Sequence, residues 1–140
     1  NINCNDSDFC NIDYKFTTSP RLDFEIHGLI NTTEINDTST LTISWNSQNT
    51  NNDYMGLIIR KLVNTEVGKS NTELIKTFTN NDKIITVSGS ELSSLFSDNE
   101  DLVFTLVRAN QYIYTNSKNK KTAFYATNIV SFGGLIFKKK

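Results

Sequence analysis

Histidine is almost missing from this chain: His27 is the only one. That scarcity closes off most catalytic and metal chemistry. A structural zinc site takes four Cys or His ligands, and His27 with the two cysteines, Cys4 and Cys10, supplies only three. A Ser-His-Asp or Cys-His arrangement would have to be drawn around His27. Its neighbours Asp23 and Glu25 share its face by strand alternation, and a solvated salt-bridge ladder with Arg21 is the reading these charges favour. No apolar run reaches the roughly 18 residues a spanning helix needs. The chain opens without a charged n-region and an apolar h-region, so we expect any signal peptide to have been removed from this numbering. The formal charge is −1 with no basic stripe, so the field that draws a phosphate backbone is missing. We expect no nucleic-acid partner. No Gly-rich phosphate loop occurs, and no cofactor is expected.

What is abundant is asparagine, 19 residues of it, with much Ser and Thr beside a single Pro. These residues suit turns and exposed strand faces better than helix interiors. The 140-residue length fits one domain, and a chain of that size buries about two-thirds of its unfolded surface without needing metals or many cross-links. Apolar residues are placed with period two nearly throughout. In "RLDFEIH", Leu22, Phe24 and Ile26 alternate with charged residues, which predicts a half-buried strand. "TLTISW" repeats the pattern with Leu41, Ile43 and Trp45 inward, and Trp45 is assigned to the core. "YMGLIIRKLV" has the apolar, β-branched make-up of a central strand, and "DKIITV", "DLVFTLVRA" and "TAFYATNIVSF" continue the series. Between them lie "NTTEINDTS", "NSQNTNND", "LVNTEVGKSNTE", "TNND" and "NSKNKK", all read as turns.

About seven strands at such spacing predict an all-β fold, an antiparallel sandwich or barrel over residues 20–137. One short helical turn near 90–96 is expected, because Ser88 as N-cap with Glu91 three residues on has capping-box spacing. The order "STLTISWN", "DYMGLIIRKL", "DKIITVSGSEL", "DLVFTLVRANQYIYTNS" resembles a fibronectin type III or related immunoglobulin-like β-sandwich. Trp45 on the second strand, Tyr54 opening the third and "LVRAN" (Leu106 to Asn110) carry that resemblance, over roughly residues 20–132 of the numbering. The family's penultimate-strand Tyr is replaced by Phe104 or Leu102, and its Leu-Pro step is absent. The resemblance implies a non-catalytic binding or structural module.

The segment 1–19 holds both cysteines in "CNDSDFC". A loop with five residues between its cysteines brings them within disulfide range, and an even count fits an oxidising compartment. A local Cys4–Cys10 bridge of about 2 kcal/mol is expected, with free thiols as the alternative. The segment is also similar to the mature N-termini of small bacterial outer-membrane lipoproteins. That likeness implies a lipid tether on Cys4, although Asn3 stands where a small residue is wanted. Three N-x-Ser/Thr sequons at Asn5, Asn31 and Asn36 offer glycosylation sites.

Two side-chain clusters remain. Asp98, Glu100 and Asp101 in "SDNED" could serve as paired carboxylates or calcium ligands, but their place before a strand suits a solvated turn. Tyr112 and Tyr114 in "NQYIYTN" fall on one strand face, and with Tyr125 they form the expected binding surface. The sequence thus predicts a secreted or cell-surface β-sandwich that binds a protein partner, as an adhesin or surface-complex subunit. A carbohydrate-binding module or an inhibitor-type secreted protein are the alternatives.

Overall fold

A computed structural model describes residues 21–46, 53–62, 72–79, 82–116 and 118–140. Cys4, Asn5 and Cys10, with the expected bridge or tether, lie outside the described residues. The described residues form β1 (Phe24–His27), β2 (Glu34–Asn36), β3 (Thr40–Trp45), β4 (Asp53–Lys61), β5 (Glu73–Thr79), β6 (Ile84–Ser88), α1 (Gly89–Leu95), β7 (Glu100–Thr115) and β8 (Lys121–Lys138). They make two sheets, a three-stranded one in the order β1-β3-β6 and a five-stranded one in the order β2-β8-β7-β4-β5. The five-stranded sheet is curled, as a half-barrel.

Period-two alternation builds the core. Leu41, Ile43, Trp45 and Val87 point from the three-stranded sheet, and Met55, Leu57, Ile59, Leu102, Phe104 and Leu106 meet them from the other. Each such side chain contributes roughly 1.5–3 kcal/mol on burial. Trp45 is in the core as expected, its ring 5.0 Å from that of Phe78.

Three features differ from the sequence reading. First, "EIN" inside the turn-like "NTTEINDTS" is strand β2, and it pairs in parallel with β8, so the fold is not wholly antiparallel. Asn and Thr mark the flanking turns, while Ile35, fully buried, draws the short segment against the core. Second, β5 is an edge strand whose inward residues Leu74 and Phe78 are separated by Lys76, which masks its apolar face. Third, β8 runs past Phe132. Phe104 pairs with Phe132 but Leu102 with Leu135, so β8 takes three steps where β7 takes two. The extra residue is a bulge at Gly133-Gly134, with Gly134 at φ +81. It resets the alternation, so that Leu135 and Phe137 are fully buried, whereas Phe132, although paired with Phe104, stays 41% exposed.

The helix forms at the expected place. Ser88 Oγ accepts the Glu91 amide at 3.3 Å, and Glu91 Oε2 accepts the Ser88 amide at 2.9 Å, a complete capping box. Its first residue, Gly89, is pressed against the turn after β2: its amide donates to Ser39 O at 2.7 Å, and a Cβ there would lie 2.0 Å from Asn36 O. Alanine normally stabilises a helix relative to glycine by about 1 kcal/mol. Here the sign reverses, and Gly89→Ala is expected to cost about 1–3 kcal/mol in urea denaturation. Gly133→Ala, whose Cβ would meet only Val103 Cγ2 at 3.6 Å, should change stability by no more than about 0.5 kcal/mol.

Candidate functional site

The alternation that fills the core from β4, β5, β7 and β8 sends the other half of those residues outward. Register aligns them in rows across the five-stranded sheet. Ile75, Ile58, Thr105 and Ser131 form one row, and Thr77, Gly56, Val107 and Ile129 the next. Tyr54 follows between Thr79 and Ala109, with Gln111 beside Tyr125 and Ile113 beside Ala123 beyond it. Large apolar side chains here face solvent: Ile75 is 60% exposed, Ile129 64%, Ile113 55%, and Tyr54 and Tyr125 58% each. Isolated exposed apolar residues are ordinary, but a contiguous array marks an interaction surface.

Hydrogen bonds fix the two tyrosines in place. Tyr54 Oη donates to Gln111 Oε1 at 3.3 Å, and Gln111 Nε2 donates to Tyr125 Oη at 2.8 Å, tying three adjacent strands together. Among the described residues, charge is confined to the ends of the face. Arg60 and Glu73 pair with each other at 3.6 Å, Asp101 stands at the same end, and Lys121 ends the rows at the other. Gly56 carries no side chain in the middle row and leaves a dip there.

The expected binding surface of Tyr112, Tyr114 and Tyr125 is divided. Among the described residues β4 pairs with β7 as far as Asn110, and beyond it residues 111–115 and 121–125 pair with each other as a two-stranded arm. Register sets Tyr112 opposite Phe124 and Tyr114 opposite Thr122 on the core-side face of that arm, where both tyrosines are half-buried. Tyr125 lies on the opposite face with Gln111 and Ile113. The correction follows from alternation: residues 112 and 114 keep the phase of Arg108 and Asn110, which point inward.

Other candidates are placed as follows. Arg21 Nε meets Asp23 Oδ1 at 2.9 Å just before β1, and His27 Nε2 meets Glu25 Oε2 at 3.4 Å on β1; all four are exposed, as the expected solvated ion pairs. A cleft of about 350 Å³ beside them is lined by Asp23, Phe24, Glu25, Ser44, Trp45 and Asn46. The Asn46 side chain there is engaged: it accepts from the Asp23 amide and donates to Arg21 O, each at 3.0 Å. In "SDNED", Asp98 accepts the Lys139 amide at 2.8 Å, and Glu100 accepts Lys61 Nζ at 2.6 Å and the Ser97 amide at 3.0 Å. Those bonds tie the cluster to neighbouring strands. Among the described residues no group of three or more His, Cys, Asp or Glu is arranged to hold a metal ion. Nor is any described helix long and apolar enough to cross a membrane.

Asn31 is exposed in a turn at φ 48. Asn36 is only 4% exposed, and its Oδ1 accepts from Thr38 N, Thr38 Oγ1 and Ser39 Oγ at 2.8–3.0 Å. Of these two sequons, folding leaves Asn31 open and encloses Asn36.

A buried arginine was not legible. Arg108 is fully buried on the inner face of β7, and its Nη1 donates to Asn46 O at 3.3 Å, linking the five-stranded sheet to the end of β3. Its even position in the inward phase was the available signal.

No family model, no curated protein and no solved structure matches the chain.

Among the described residues, two carboxylates are held below their ordinary value. The Lys76 ammonium and the Ser88 amide hold Glu91 below its ordinary value. Burial pushes Glu100 up, but the bonds from Lys61 and Ser97 outweigh it and leave it lowered. A lowered folded-state value contributes stability above the ordinary carboxylate range, lost as pH falls through the folded pKa. Melting temperature should therefore hold from neutral pH down to about 5 and fall below about 4.5. Glu91→Gln/Glu100→Gln should melt lower at neutral pH and show a shallower acid decline. An unchanged decline would show that other groups carry it.

Proposed function

We propose that this protein is an immunoglobulin-like β-sandwich module, secreted or displayed at a cell surface. On this reading it is non-catalytic and binds a protein partner through the outer face of its five-stranded sheet. The strand order supports the fold reading. With β1, β3 and β6 taken as A, B and E, the other sheet reads G, F, C and C′ through β8, β7, β4 and β5, the arrangement of immunoglobulin-type sandwiches. The short α1 then fills the connection from E to F. The cysteine pair in an Asn- and Thr-rich chain supports the extracellular assignment.

The observation that carries the binding role is the uncharged, exposed array of Ile75, Ile129, Tyr54, Tyr125 and Ile113. An antiparallel sheet with a solvated face ordinarily alternates apolar and polar residues; β4 and β7 keep apolar residues on both faces. Aromatic and aliphatic groups on a rigid sheet offer contact area at little conformational cost, which suits an interface centre.

A specific feature favours carbohydrate as a second reading. Tyr54 and Tyr125 flank Gln111 across three strands, and two exposed rings around an amide could stack on a glycan.

Capture from surface extracts of the source organism, with the immobilised full chain as bait, discriminates these. Ile75→Lys/Ile129→Lys should lose the captured protein while melting within about 2 °C of wild type, since exposed substitutions are nearly neutral for stability. Tyr112→Ala/Tyr114→Ala should retain it. Capture indifferent to the isoleucine pair would sink the assignment of the face, and a glycan array positive for wild type and negative for Tyr54→Ala/Tyr125→Ala would select the second reading.

A further inference from the structure

We propose that the occupant of this face is a second copy of the same chain, the two five-stranded sheets stacking face to face about a two-fold axis. The inference rests on the reading of the outer face as a protein-binding surface and names its partner.

Charge is the first argument. Selection of one foreign partner over others relies heavily on complementary charge, which also steers encounter. This face has almost none to offer. Arg60 and Glu73 neutralise each other at one end, and Asp101 and Lys121 stand at opposite ends of the β7–β8 ladder. Between them the rows hold Ile, Val, Thr, Ala, Tyr and Gln. An uncharged patch meets its own copy without repulsion, and an antiparallel two-fold arrangement sets the Asp101 end of one copy toward the Lys121 end of the other. Two-fold interfaces use the same patch on both subunits, and homodimer interfaces are the more apolar kind.

Size is the second argument. Four strands at about 4.8 Å spacing, and about 3.4 Å per residue along them, give β5-β4-β7-β8 a face of roughly 400 Å². The arm beyond Asn110 adds roughly 200 Å² on two strands. Side-chain relief raises the accessible area toward the about 800 Å² that each partner gives to a standard stable interface. Stacked sheets pack about 10 Å apart with their strands near −30° when both faces are apolar.

Sedimentation equilibrium on the full chain, at concentrations up to about 500 µM, tests this on the affinity scale of ordinary interfaces. Wild type is expected to show a monomer–dimer equilibrium. Ile129→Glu and Thr77→Glu, one apolar and one polar position of the same row, should each weaken it at least about tenfold, an energy of about 1.4 kcal/mol or more. Thr86→Glu, exposed on the three-stranded sheet, should leave it unchanged. Circular dichroism melts confirm that each variant is folded, and Thr77→Glu keeps the test valid if Ile129→Glu is not. A wild type monomeric throughout would overturn the proposal, as would a dimer unaffected by Ile129→Glu and Thr77→Glu or weakened equally by Thr86→Glu. If wild type is monomeric yet Ile75→Lys/Ile129→Lys still abolishes capture from extract, the self-pairing fails and the binding face stands. Capture indifferent to that pair removes the face itself.

Discussion

Everything in the larger sheet depends on the phase of β7. This strand pairs with β4 on one side and β8 on the other over most of its length. Its even residues from Leu102 to Asn110 enter the core, and its odd residues from Val103 to Ile113 form the outer face. A slip of one residue would exchange these sets, exposing Leu102, Phe104 and Leu106 while burying Thr105 and Gln111. Burial of the three apolar side chains holds the register, and the register in turn places every outward residue, including those proposed to bind. Core and candidate site are two readings of one alternation.

Two devices protect that phase where the sequence would lose it. The Gly133-Gly134 bulge lets β8 continue past Phe132 and still present Leu135 and Phe137 inward. The contact of Gly89 with the turn after β2 seats the helix against the β2–β3 connection. Lys76 joins the two sheets at another edge, reaching Thr86 O on β6 at 3.1 Å and Glu91 on α1 at 2.7 Å. The core therefore tolerates a positive charge on the inward face of β5, because its head reaches partners at the sheet boundary. Arg108 makes the same kind of link from the centre, through Asn46 O to the end of the smaller sheet.

The functional proposal follows from an excess in this scheme. Two sheets that share one core need one apolar face each, and the three-stranded sheet largely meets that expectation, with Glu25, His27, Thr42, Ser44 and Thr86 turned outward. The five-stranded sheet exceeds it, and fold stability gives no reason for Ile75 and Ile129 to face water. Hydrogen bonds from Tyr54 through Gln111 to Tyr125 tie the two side chains together across the strands, which preorganises the surface and lowers the entropy lost on binding.

By itself the sequence determined the strand-dominated fold, the inward direction of Leu22, Phe24, Ile26, Leu41, Ile43 and Trp45, and the capped helix after Ser88. Each is a local pattern, alternation or capping-box spacing, that needs no distant partner to be seen. The tertiary structure alone decided which strands are neighbours, that "EIN" pairs in parallel with β8, and that Lys76 and Arg108 are inward residues. It also separated Tyr112 and Tyr114 from Tyr125 and gathered Tyr54, Ile75, Ile113, Tyr125 and Ile129 into one surface. Those five residues come from four strands spread over most of the chain. Cross-strand register brings them together, and register is set by the sum of core contacts between distant segments, which no single stretch of sequence contains.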